Sequence, residues 1–185
     1  MKRLLVRAAT AIALVGLLAA CTTEVASSRL QFTMSPSGNL GYEVSSSGEI
    51  TIASRNLVFR NAAGEVGLTL TGALIEFFDE NDVPVTTASN AHVVSLNTFV
   101  PPGIQCDAPD AVLGCTLASA GARFAPGPQV VTPESYQMLN GLVAIEHIVA
   151  GQPTGWYADI TFSGFTAIGQ TFTSEPYRVS VVVPN

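Results

Sequence analysis

From Trp156 to Ser163 the chain alternates: Trp156, Ala158, Ile160 and Phe162 fall on one parity, and Tyr157, Asp159, Thr161 and Ser163 on the other. Successive side chains of a strand point to opposite faces, so this spacing builds a strand with one apolar side, whereas a helix would scatter the same four residues around its circumference. The alternation recurs in Leu57 and Phe59, in Val66, Leu68 and Leu70, and in Tyr177, Val179, Val181 and Val183. Gly164, Gly169 and Pro176 separate the last of these runs. Short one-faced strands divided by turn residues bury their apolar sides only by packing against a second sheet or closing on themselves. The expected fold is all-β, an antiparallel β-sandwich.

One segment departs from this period. Thr132-Pro133-Glu134 has the form of a helix cap and first turn, and Gly151 with Pro153 that of a stop. Asn140-Gly141 in its middle is equally a hairpin turn. The reading favours a short helix over about 133–149, with a hairpin as the alternative.

The stretch Ile75 to Val85, IEFFDENDVPV, resembles the strand-turn-strand of bacterial immunoglobulin-like and fibronectin-type modules, and ITFSGFTAIGQTF followed by YRVSVVV is similar to their last hairpin. The resemblance covers about a third of residues 21–185 and implies an immunoglobulin-like sandwich. Its turn is Asp79-Glu80-Asn81-Asp82, with Asp82 where such modules often carry glycine. Asn and Asp are among the few residues that tolerate positive φ.

The N-terminus has the layout of an export signal. Lys2, Arg3 and Arg7 form a basic start, and Ala8 to Leu18 form an apolar run broken only by Thr10 and Gly16. The run is shorter than the about 20 apolar residues that a membrane-spanning helix needs. Leu18-Ala19-Ala20-Cys21 resembles the lipobox of bacterial lipoproteins. That resemblance implies cleavage before Cys21 and attachment of diacylglycerol to its thiol. In a bacterium with two membranes, Thr22 in place of Asp after the cysteine implies delivery to the outer membrane. Two acyl chains suffice for stable anchoring. The resulting organisation is a signal at 1–20, a tether at 21–29 and one sandwich domain at 30–185. Thr22 to Arg29, TTEVASSR, is small, polar and aperiodic.

Cleavage would remove the only lysine and leave five arginines against fourteen acids, a formal charge of −9. Such a surface repels phosphate backbones and disfavours nucleic-acid partners. Without a lysine there is no Schiff-base amine, no Ser-Lys pair and no Walker-type phosphate loop. The sequence also lacks the G-x-S-x-G and H-E-x-x-H patterns. No motif implies a cofactor.

With Cys21 taken by lipid, Cys106 and Cys115 in CDAPDAVLGC remain as an even pair in an exported chain and read as a disulfide. Their spacing fits neither C-x-x-C redox chemistry nor zinc. They lie in a long Pro/Gly-rich stretch, 100–128, and segments of that length are often functional.

Two histidines bear on chemistry. His92 shares parity with Val94 and Leu96, and His147 stands beside Glu146. Asp79, Glu80 and Asp82, with Asn81, could offer three or four oxygens at a hairpin tip, and Asp79 and Asp82 are candidate calcium ligands; a solvated turn is the simpler reading. Trp156 belongs to the core by parity, and of Phe77 and Phe78 one must face outward. The functional expectation is a lipid-anchored extracytoplasmic module that binds a partner or builds the cell envelope without catalysis. The alternatives are a secreted hydrolase, or its accessory domain, using carboxylates and His147, and a subunit of a surface assembly with exposed edge strands.

Overall fold

The computed structural model describes residues 32–36, 40–85, 91–112 and 114–182. The signal, Cys21, the tether and Val183 lie outside them. Strands β1 (Phe32–Pro36), β5 (Leu57–Asn61) and β10 (Val130–Val131) make a three-stranded sheet in the order β1-β5-β10. Facing it is a seven-stranded sheet in the order β3 (Ile50–Ile52), β2 (Leu40–Val44), β14 (Tyr177–Val182), β12 (Tyr157–Thr166), β6 (Leu68–Phe78) and β7 (Ala91–Val100), with β13 (Thr171–Thr173) paired to β12. Two small pairs complete the sheets: β4 (Ser54–Arg55) with β11 (Tyr136–Gln137), and β8 (Ile104–Gln105) with β9 (Arg123–Phe124). The fold is all-β, as the period of two predicts. Every named strand pair is antiparallel except β14 with β2, which is parallel.

The core lies between the two main sheets. Leu57 and Phe59 of β5 face Ile160 and Phe162 of β12, and the Phe59 and Phe162 rings meet edge to face at 5.2 Å. Such a contact adds about 0.5–1.5 kcal/mol to what burial alone supplies. Trp156, Ala158, Ile160 and Phe162 are all buried, as their parity requires, and Ser163 is exposed. Phe77 points inward; Phe78 is half-buried and its ring stacks on Tyr157 at 5.2 Å.

Val66 does not continue its alternation into a strand: it is exposed in the turn before β6. β6 itself runs unbroken for eleven residues through a change of parity. Its buried set passes from Leu68 and Leu70 to Ala73, Ile75 and Phe77, because the register against β12 shifts at Ser163/Gly164 and leaves Thr71 as an extra residue. One added residue turns every later side chain to the other face. Gly164 is required at this bulge, since a Cβ there would run into the Thr69 carbonyl oxygen.

The helix is shorter than the sequence suggested. α1 spans Gly141–Val149, and Asn140, not Thr132, is its N-cap, its side chain accepting from the Leu142 N–H at 2.9 Å. The Thr132 side chain instead accepts from the Leu57 N–H at 3.0 Å and donates to the Glu134 carbonyl at 2.8 Å. That bonding ties the link between β10 and β11 to β5, and Asn140-Gly141 opens a helix where it could have closed a hairpin. No helix among the described residues is long and apolar enough to cross a membrane.

Candidate functional site

The Pro/Gly-rich stretch after β7 folds into a strapped loop. Gly103 donates to the Glu65 carbonyl and accepts from the Gly64 N–H, each at 2.8 Å, so it lies flat against the turn between β5 and β6. A Cβ at Gly103 would overlap the Ala62 carbonyl, which explains glycine there. Asn61, buried at the end of β5, donates through Nδ2 to the Val66 and Pro101 carbonyls at 2.9 Å. The Gly127 N–H donates to the Asn61 carbonyl, and Arg60 Nε donates to the Gly127 carbonyl at 2.8 Å.

Cys106 and Cys115 form the expected disulfide, with their Cα atoms 5.7 Å apart. Inside it, Asp110 and Gly114 exchange two backbone hydrogen bonds of 3.0 Å, and Asp110 Oδ1 accepts from the Val112 N–H. From within the ring Asp107 also meets Arg123, beyond it, in an exposed ion pair at 3.3 Å, a contact of the kind that contributes little in water. The disulfide borders a cleft of about 600 Å³ with walls formed chiefly by Phe99, Pro101, Pro102, Ile104, Val112 and Pro128. Gln105, Asp110 and Arg123 supply polar groups at its margin. Its size falls within the roughly 300–1,000 Å³ typical of small-molecule sites.

His147 lies elsewhere and is enclosed. Its Nε2 is 2.9 Å from the Pro153 carbonyl, which only accepts, so Nε2 carries the proton. Nδ1 then accepts from the Tyr42 hydroxyl at 2.9 Å. The Tyr42 and Trp156 rings pack on the imidazole at 5.8 and 4.9 Å. Burial raises the Tyr42 phenol above its ordinary value, opposed in part by a hydrogen bond from Gln152. Glu146 does not join this group. Neighbours along a helix do not face each other, and Glu146 Oε2 is buried with no hydrogen-bond partner among the described residues. His92 is half-buried at the start of β7, and its Nε2 donates to the Gln137 carbonyl at 2.9 Å.

The hairpin tip has Asp82 at φ 61°, in the left-handed region that its sequence position anticipated. Its acids turn to different partners. Asp79 Oδ1 accepts from the Asn81 and Val83 N–H groups, Glu80 Oε2 accepts from Trp156 Nε1 at 2.7 Å, and Asp82 Oδ1 accepts from the Tyr157 hydroxyl at 2.6 Å. Among the described residues no group of three or more His, Cys, Asp or Glu side chains is placed to hold a metal ion.

Beside this tip Arg178 reaches across Tyr157, its guanidinium carbon 3.7 Å from the ring centroid, and bonds both oxygens of Asp159 at 3.0 and 3.1 Å. The hydrogen bond to Asp82, and then loss of solvent, hold the Tyr157 phenol above its ordinary value against the opposing pull of Arg178. The sequence carried no sign of this stack, because Phe78, Asp82, Tyr157 and Arg178 come from three strands and a turn. Asn61 and Tyr42 were equally hidden, although an Asn ending an alternating strand and a Tyr at a buried parity are polar groups that demand partners.

No model of a known protein family matches the sequence. A search among curated proteins finds no match either.

Proposed function

We propose that this chain is a lipid-anchored extracytoplasmic module with an immunoglobulin-like sandwich, and that it works by binding or building, not by catalysis. Cys21 carries the lipid, residues 22–29 give reach, and the disulfide-bordered loop at 100–128 is the contact surface. The observation that carries the reading is the cleft: it is concave, largely apolar, strapped to the sandwich and bordered by a disulfide. The enclosure of His147, with both ring nitrogens bonded inside the fold, supports a packing role over proton transfer.

Two measurements test this. Mass spectrometry of the N-terminal peptide should find a chain beginning at a diacylated Cys21; an unmodified chain that begins earlier removes the anchor. Crosslinking on native membranes should capture neighbours through the loop. Because a chain cut before Cys21 has no lysine, the reagent must be carboxyl-directed or photochemical, with Asp107 and Asp110 as attachment points. Neighbours joined reproducibly through other surfaces, with neither protein nor lipid joined through 100–128, would reject the loop as the contact surface.

A further inference from the structure

The point at which the chain enters the fold orients the whole domain. Phe32 opens β1 and pairs with Asn61, the residue that holds Pro101 and Gly127. The chain therefore enters beside the cysteine loop. The β12–β13 turn shares this end, since the Ala167 N–H donates to the Gly67 carbonyl at 2.7 Å. The opposite end lies the length of β6 away, and eleven residues of strand rise about 36 Å. There stand the 79–82 turn, α1 and Trp156.

Large apolar side chains reach into solvent at both ends: Val149 81%, Val83 52%, Ile145 47% and Leu142 46% on α1 and the turn at the far one, and those of three loops at the entry end. Val112 is 89% exposed, Ile168 69%, Leu117 66%, Phe124 65% and Phe99 53%. Phe99 and Pro102 lie against Gly67, and Phe124 lies over Gly64, which brings their loops onto one surface. Scattered exposed apolar residues are ordinary, whereas a cluster is a candidate contact surface, and between the two ends the length of the tether decides. Nearby charges almost cancel, with Glu65, Asp107 and Asp110 against Arg60 and Arg123, so the end presents no cationic patch to anionic headgroups.

We propose that this end rests on the phospholipid bilayer surface, with Val112, Leu117 and Phe124 entering the boundary between headgroups and acyl chains. The inference deepens the anchored-module reading and depends on a lipid at Cys21. Length supports it. The eleven residue steps from Cys21 to Phe32 span at most about 40 Å. A compact domain of about 150 residues has a radius of gyration of about 15 Å and is roughly 38 Å across. Presenting the far end to the membrane would draw the tether out along nearly the entire domain. Apolar burial at a near-neutral surface also makes the contact insensitive to salt.

The test uses the full lipoprotein, purified from membranes and reconstituted in phosphatidylcholine vesicles with brominated acyl chains. Two single variants place an indole at either end: Val112→Trp at the loop and Leu142→Trp on α1. The native Trp156 is the only other tryptophan, and it is buried. Expected is strong quenching and a blue shift for Val112→Trp, unchanged between low and high salt, while Leu142→Trp is quenched no more than the unaltered chain. A lipidated chain whose Val112 indole stays unquenched, or whose Leu142 indole is quenched instead, overturns the proposal. A Val112 indole already shielded without lipid, in proportion to protein concentration, assigns the surface to a second copy and also overturns it. An N-terminal peptide without lipid refutes the anchor itself, and with it the premise.

Discussion

Replacing Tyr42 by Phe removes one oxygen and keeps the ring. In the native fold that oxygen gives its proton to His147 Nδ1 at 2.9 Å, in a group where Tyr42 is fully buried and His147 nearly so. The ring contacts with His147 survive the change, so the loss is confined to the hydrogen bond. An acceptor left buried and unsatisfied costs about 1–3 kcal/mol, more than the roughly 1 kcal/mol net contribution of an ordinary hydrogen bond. For a domain of this size each kcal/mol corresponds to about 2–4 °C of melting temperature, so Tyr42→Phe should lower Tm by about 2–12 °C. Calorimetry of Tyr42→Phe, His147→Leu and the double variant closes a cycle. The double variant should cost less than the sum of the singles by about 0.5–3 kcal/mol, because the pair acts as a unit. A Tyr42→Phe cost below about 0.5 kcal/mol, or strict additivity, would refute the assignment of His147 as a packed core group. Diethyl pyrocarbonate gives an independent reading: half-buried His92 should react first and His147 only as the fold opens.

Three further outcomes are expected. Replacing both Cys106 and Cys115 by Ser should destabilise by about 2.7 kcal/mol on the loop-entropy relation for a ring of about ten residues, measured by urea titration; an unchanged midpoint would contradict it. Gly164→Ala should cost about 1–3 kcal/mol through its collision with the Thr69 carbonyl, whereas Gly169→Ala, with open space around the added methyl, should cost only its positive-φ strain. All four phenols are held above the usual value near 10: Tyr42 and Tyr177 by burial, Tyr136 by burial and Glu134, and Tyr157 by its bond to Asp82. A raised folded-state value means that their contribution to stability is complete below pH 10 and is lost as pH climbs through the folded values. Tyrosinate absorbance should therefore appear late in the native protein and near pH 10 in urea; coincident titrations would remove the effect.

The all-β class was legible because Ala158, Ile160 and Phe162 need only a period of two to declare a buried face. β6 was legible only in pieces, since Leu68 and Leu70 disagree in parity with Ile75 and Phe77; the bulge that reconciles them exists only against β12. The helix was half visible. Asn-Gly is at once a turn and a cap with its first helical residue, and what favours the helix is its buried face of Val143, Ala144 and His147, the last bonded to Tyr42 on β2. The disulfide followed from counting cysteines. The partner of His147 could not follow, because Tyr42 lies 105 positions earlier and no local rule joins them.

The large sheet ends on a three-residue strand, β3, at one side and on β7 at the other. β7 is ten residues long, but its register against β6 slips between Leu70 and Gly72, so its outer rim is kinked near its middle. On a membrane, the setting proposed above, this matters more than in solution. Molecules confined to a plane meet at high local concentration, and a straight, unpaired rim would invite neighbouring copies to zip into a common sheet. One short rim and one bent rim deny such growth a template, so a densely covered membrane should remain a population of separate domains.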